Sequence, residues 1–233
     1  VEPPTTLRAV RSWDEALPER GTDEGVLEAM LLSAGALGYE KATVQEVLDR
    51  SGISRERFQR GFGSKEECFA RAYEMAAARL EEELLEACKG AVSWRAGFRA
   101  ALARLLRTVA EQPLLAKALL IEVRAARGRA WETHQRAMEK LARLVDAARE
   151  EPGARPATKL AAQFVVGAVE ETICVEIGAG RVAKVERLLP DLCHLAVLQY
   201  FGEDEAWLEL GSPDLSRVGG AAEGGGTPDE TDL

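Results

Sequence analysis

Apolar residues recur along this chain three and four positions apart, and no extended stretch alternates with the two-residue period of a strand. The pattern predicts an all-α fold of about nine helices. The first covers residues 22–37, and two short ones follow within 43–62. A long fourth runs over 64–88, then one over 93–112 that Pro113 ends, then a shorter one over 114–126. Gly128 interrupts the pattern before a helix over 130–150, and PGARP (Pro152 to Pro156) is a loop. The last two cover 157–177 and 185–201, with Pro190 either in a first turn or kinking its helix, because proline lacks the amide donor. Gly35 inside the first helix costs around 1 kcal/mol relative to alanine, which close helix packing can offset.

The most specific pattern is TVQEVLDRSGISRERFQRGFGSKEE, Thr43 to Glu67. Thr43 and Glu46 make a capping box, and Val44, Val47 and Leu48 share one helical face. Gly52 is the residue type that ends a helix in a left-handed turn. Ser54 caps a second helix, with Ile53 and Phe58 spaced as a hydrophobic staple and Phe62 continuing that face. Ser64 starts a third helix, with Glu67 three residues on. Arg55, Glu56, Arg57, Gln59 and Arg60 are left facing away from the core. Two short helices around a tight turn, the second presenting arginines, is the layout of a DNA-reading helix-turn-helix.

Residues Thr22 to Phe69 resemble the DNA-binding domain of the TetR family of bacterial transcriptional regulators. The likeness rests on GYEKATV (Gly38 to Val44), SGIS (Ser51 to Ser54) and FGSKEECF (Phe62 to Phe69), in that order. VVGAVEE (Val165 to Glu171) and LLPDLCHLAVLQYFG (Leu188 to Gly202) are similar to the last two helices of many such proteins, which build the homodimer interface there. The resemblance implies a homodimeric regulator, usually a repressor, that binds a near-palindromic double-stranded DNA operator and is released by a small-molecule effector. It implies a DNA-binding domain over 22–69 and a dimerisation and effector domain over 70–202, while the three prolines and mixed charges of residues 1–21 read as a flexible arm. Residues 203–233 read as an acidic, glycine-rich tail, largely disordered.

On this reading Ser54 caps the recognition helix, and Arg55 and Arg57 sit in its first turn, able to donate to guanine. Gln59 reads adenine or holds a phosphate, and Thr43, Arg60 and Lys65 hold phosphates. The family often has tyrosine where this chain has Gln59, so an apolar contact to the DNA backbone is lost. Glu56 either accepts from cytosine or pairs with Arg60. Val165, Val166, Val169, Ile173 and Ile177 stripe one late helix; Leu188, Leu192, Leu195, Val197 and Leu198 stripe the other. These stripes serve either a four-helix dimer interface or the core of one chain. Trp94, Phe98, Trp131, His134, Phe164, Glu170 and Cys174 lie on helices placed to enclose an effector pocket, although aromatics at helical spacing also serve as core.

A net charge of −9 weighs against nucleic acid until its distribution is read. From Glu203 onward there are nine acids against Arg217 alone, so residues 1–202 are close to neutral. Local arginines, not the total, meet phosphates. Four cysteines without paired spacing (Cys68, Cys88, Cys174, Cys193) read as reduced thiols of a cytoplasmic protein. The N-terminus does not read as a signal peptide, no stretch reads as a membrane span, no metal or cofactor is expected, and the first methionine, Met30, is read as processing or a longer chain. No nucleophile–base pair is visible, so the chain is read as a non-enzyme. The alternative function is an interaction module that has kept the fold but lost specific DNA reading.

Overall fold

The computed structural model describes residues 20–211, and every regular element among them is helical. Helix α1 (Asp23–Leu37) starts at Thr22, whose hydroxyl accepts from the Gly25 amide at 3.0 Å. It is apolar nearly all round, with Val26, Met30 and Leu31 fully buried, because α2 (Val44–Ser51) and α4 (Lys65–Ala87) pack on one side of it and residues 113–122 on another, while α3 (Arg55–Gly61) follows α2 in the head.

The local punctuation forms as the sequence predicts. Thr43 and Glu46 make the reciprocal capping box of α2, and Gly52 closes that helix in the left-handed region at φ 71°. Ser54 accepts from the Arg57 amide, and Ile53 and Phe58 are buried in one cluster. At Ser64 only half a box forms. Its hydroxyl takes the Glu67 amide, while the Glu67 carboxylate reaches Arg129 at 2.7 Å instead. Gly35 is also accounted for. A Cβ there would lie 2.1 Å from the Leu114 carbonyl oxygen, so α1 meets the next layer backbone to backbone.

The body comprises α5 (Trp94–Glu111), α6 (Pro113–Lys117), α7 (Val123–Ala126), α8 (Gly128–Asp146), α9 (Ala161–Gly178), α10 (Leu189–Phe201) and α11 (Glu203–Gly211). A π-helical turn, Ala118–Glu122, joins α6 to α7, which the period alone does not reveal. Helix α8 tightens into a 3-10 turn at Ala147–Glu150. The start of α9 moves from 157 to Ala161, because the Ala157 and Thr158 carbonyls accept from the Arg149 guanidinium instead of opening a helix. Pro190 sits in the first turn of α10 after a 3-10 turn, Val182–Leu188.

Residues 203–211, read from the sequence as part of the tail, form a helix. Helix α11 is docked, because Glu209, 5% exposed, accepts from Arg95 at 2.7 Å and Arg99 at 2.6 Å on α5. The remainder of that tail, 212–233, and the arm over 1–19 lie outside the described residues. Nor does packing pause after Phe69. The cluster holding Met30, Phe58 and Phe69 continues through Tyr73 and Ala76 of α4 into Leu115, Leu119 and Val123, so head and body share one core. Two further clusters fill the body, one around Leu106, Ile173 and Leu192, the other around Ala162, Val197 and Tyr200.

Candidate nucleic-acid interface and the body beneath it

Helix α3 is held from inside by Phe58 and Phe62, whose rings lie 5.4 Å apart. Arg55, Glu56, Gln59 and Arg60 are therefore exposed, as their spacing predicts. Arg55 donates to the Gln45 amide oxygen at 2.9 Å, and Gln45 in turn donates to Asp49. This brings Gln45 of α2 to the same exposed face, a residue the sequence pattern did not single out. Among the described residues Glu56 and Arg60 form no ion pair with each other.

Two of the eight residues assigned to DNA sit differently. Arg57 turns back to the start of α1, donating to the Gly21 carbonyl at 2.6 Å and to Asp23 at 3.1 Å. Reading a base with Arg57 first requires breaking that ion pair. Lys65 donates to the carbonyls of Tyr39, Glu40 and Ala42 and lies 4.4 Å from the Tyr39 ring centroid. It clamps the loop between α1 and α2, so its ammonium is already occupied by carbonyl oxygens. Thr43 and Ser54 are helix caps with exposed positions.

The seven residues expected to line one pocket fall into three places. Trp94 stacks on Phe98 at 5.1 Å and meets Tyr200 and Phe201, forming core at the α5–α10 contact. Phe164 is 58% exposed and lines neither of the two spaces described below. Trp131, His134, Glu170 and Cys174 gather between α7, α8 and α9, with the Cys174 thiol directed at the Leu120 carbonyl.

That third group contains a buried polar chain. Tyr73 on α4 meets His134 Nδ1 at 2.9 Å, and His134 is 2% exposed. Burial, then the nearby Glu170 charge, push the Tyr73 phenol far above its ordinary value, so it keeps its proton and donates. The His134 Nε2 proton is then directed at Glu170 Oε1, 3.3 Å away, which also accepts from Arg124 at 2.8 Å. Burial by itself would raise the Glu170 carboxyl; the bonds from His134 and Arg124 more than reverse this and hold it below the usual carboxylate range. Four elements are thereby joined by one continuous hydrogen-bonded path.

A cleft of about 330 Å³ opens between α8 and α9, and of the seven expected residues only Glu170 lines it. A second space of about 40 Å³ lies between α4, α5 and α6 around Thr108 and Gln112. The stripes on the last helices also resolve. Val165, Ile173, Leu192 and Val197 are buried within the chain itself, while Leu160 just before α9, Phe164 and Val175 of α9, and Leu195 and Leu198 of α10 are exposed. Among the described residues no group of three or more His, Cys, Asp or Glu side chains is placed to hold a metal. All four cysteines are unpaired, and burial pushes the Cys68 and Cys193 thiols up to about 12. No described helix is long and apolar enough to cross a membrane.

No protein-family model and no curated protein matches the chain. Its architecture does match solved structures. SmeT, the repressor of the Stenotrophomonas maltophilia multidrug efflux pump SmeDEF, aligns over 81% of this chain and 94% of its own, with 19% identity and a TM-score of 0.65. A TetR-like transcriptional regulator from Rhodococcus sp. RHA1 aligns over 74% and 92%, with 24% identity and a TM-score of 0.55. The transcriptional regulator FadR from Bacillus subtilis, solved with stearoyl-CoA, aligns over 74% and 96%, with 15% identity and a TM-score of 0.65. The chain has the fold of TetR-type transcriptional regulators.

Proposed function

We propose that this chain is a TetR-family transcriptional regulator, a homodimer that reads a near-palindromic double-stranded DNA operator and is released from it by a small-molecule effector. The reading places it in the cytoplasm as a repressor without catalytic activity. The observation that carries it is the head. A short helix capped at Ser54 and fixed from below by Phe58 presents Arg55, Gln59 and Arg60 outward. In major-groove docking the N-terminal turn meets base edges, so Arg55 and Gln59 read bases while Arg60 and Thr43 hold phosphates. Arg57 and Lys65 serve the same site by holding α3 and the α1–α2 loop in place.

Dimerisation is supported by the exposed apolar residues of α9 and α10, which a second copy related by two-fold symmetry would cover. An effector acts only through different affinities for the DNA-competent and DNA-incompetent geometries. The solved neighbours support the same reading: one is a repressor, another was solved with an acyl-CoA.

Selection from a random double-stranded DNA pool tests the proposal, run in parallel on the wild type and Arg55→Ala/Gln59→Ala. A near-palindromic site enriched by the wild type and lost in the variant is the expected result. No enrichment from a folded dimer at modest salt removes the reading and leaves an interaction module in its place.

A further inference from the structure

We propose that the cleft between α8 and α9 binds a small carboxylate-bearing molecule, whose carboxylate meets Arg143 and Lys159 while a donor at its other end meets Glu170. The inference deepens the regulator reading by giving the effector a place and a chemical class.

Size comes first. About 330 Å³ is at the small end of ligand sites, equal to the share of roughly eleven liquid waters at ~30 Å³ each. That suits a metabolite, not a large cofactor. The space exists because small residues face each other across the two helices. Ala142 and Ala162 line it, and a methyl placed on Gly167 would meet no atom within 4 Å. Val166 and Met138 complete an apolar wall between the charged ends.

Charge selects the ligand. Five ionisable groups line the cleft, and two of them are already balanced. Asp146 pairs with Arg149 at 2.6 Å and accepts from the Tyr200 hydroxyl at 3.1 Å. Glu170 pairs with Arg124 and lies within reach of His134. Arg143, Lys159 and Glu139 remain, and none of them makes an ion pair with a described residue. Two cations against one carboxylate favour an anion, and the small volume suits a carboxylate better than a nucleotide-sized phosphate.

The far end of the cleft has its own preference. His134 and Arg124 both approach Glu170 Oε1, and no described residue donates to Oε2. A lowered pKa keeps this carboxylate ionised and accepting. From Ala161 to Glu170 the α9 axis rises by roughly 14 Å, and Lys159 stands two residues before that helix begins. The ligand therefore has an extended body of intermediate length, anionic at one end and hydrogen-bond donating at the other. Because Glu170 also lies on the path to Tyr73 of α4, a donor arriving at the open Oε2 is joined through the same carboxylate to His134, which stays on Oε1.

Calorimetric titration of the full chain with three probes tests this: octanoate, its terminally hydroxylated analogue, and octylamine. Saturable binding in the order hydroxylated octanoate, octanoate, then octylamine supports the site, provided Arg143→Glu/Lys159→Glu weakens the carboxylates by about a hundredfold, the loss of two charge-assisted contacts. Both positions are exposed, so an unchanged melting curve shows that the variant folds. No saturable binding, equal affinity for the amine, or unchanged affinity in the variant overturns the proposal. The DNA selection separates the two readings. Selective DNA binding without carboxylate binding removes the cleft alone; carboxylate binding without DNA reading supports the cleft and removes the regulator.

Discussion

Glu209 belongs by sequence to a run of acids that reads as solvated, yet it is among the most buried carboxylates of the fold. Its partners, Arg95 and Arg99, lie over a hundred positions upstream, and nothing within a helical turn announces them. Burial alone would raise its pKa; the hydrogen bonds from Arg99 and Arg95 outweigh that and lower it below the ordinary 4.5. A carboxyl whose folded pKa is depressed stabilises the fold above its unfolded value and loses that contribution as pH falls through the folded one. We expect Glu209→Ala to cost about 2 kcal/mol at neutral pH and to flatten the loss of stability on acidification. Urea unfolding measured from neutral to acid pH checks both. The same distinction separates the head residues. Thr43, Ser54 and Ser64 are legible as caps because each bonds an amide three residues on. Arg57 and Lys65 are not, because their acceptors lie 34, 36 and 23–26 residues away.

At the scale of the element, helical period locates a helix far better than it orients one. Helix α9 is apolar on nearly every side, so its sequence does not say which side faces its own chain. Val165 and Ile173 turn out to be core, whereas Leu160, Phe164 and Val175 are outside. Helix α10 divides in the same way between Leu192 and Leu198. If the outer face joins two copies, Phe164→Glu/Leu198→Glu yields a monomer of unchanged helical content, read by sedimentation and circular dichroism. A dimer surviving both charges would mean that another surface joins the copies. The π turn at Ala118–Glu122 is a further feature that periodicity does not carry. It puts Glu122 where its carboxylate takes the Tyr39 amide at 2.7 Å, across from the end of α1.

Over the whole molecule, the head is legible as a unit and its attachment to the body is not. Caps, turn and staple are local, whereas the shared core depends on α6 and α7 arriving beside α1 and α4 from eighty residues further on. The contact is tightest at Gly35, where the backbones of α1 and α6 leave no room for a side chain. We expect Gly35→Ala to destabilise the fold by about 1–3 kcal/mol through overpacking. We also expect it to separate the two parts. If the chain reads an operator, that DNA should slow hydrogen exchange in α6 and α7 of the wild type, and in Gly35→Ala the protection should be confined to the head. Equal protection in both would show that the contact does not transmit.

That contact has a genetic consequence. If the chain is an inducible repressor, a screen for alleles that still silence their target but no longer answer the inducer should return changes at Gly35, a position buried between α1 and α6. Because every replacement adds at least a methyl group, the whole codon should behave as one phenotypic class, with glycine alone as wild type.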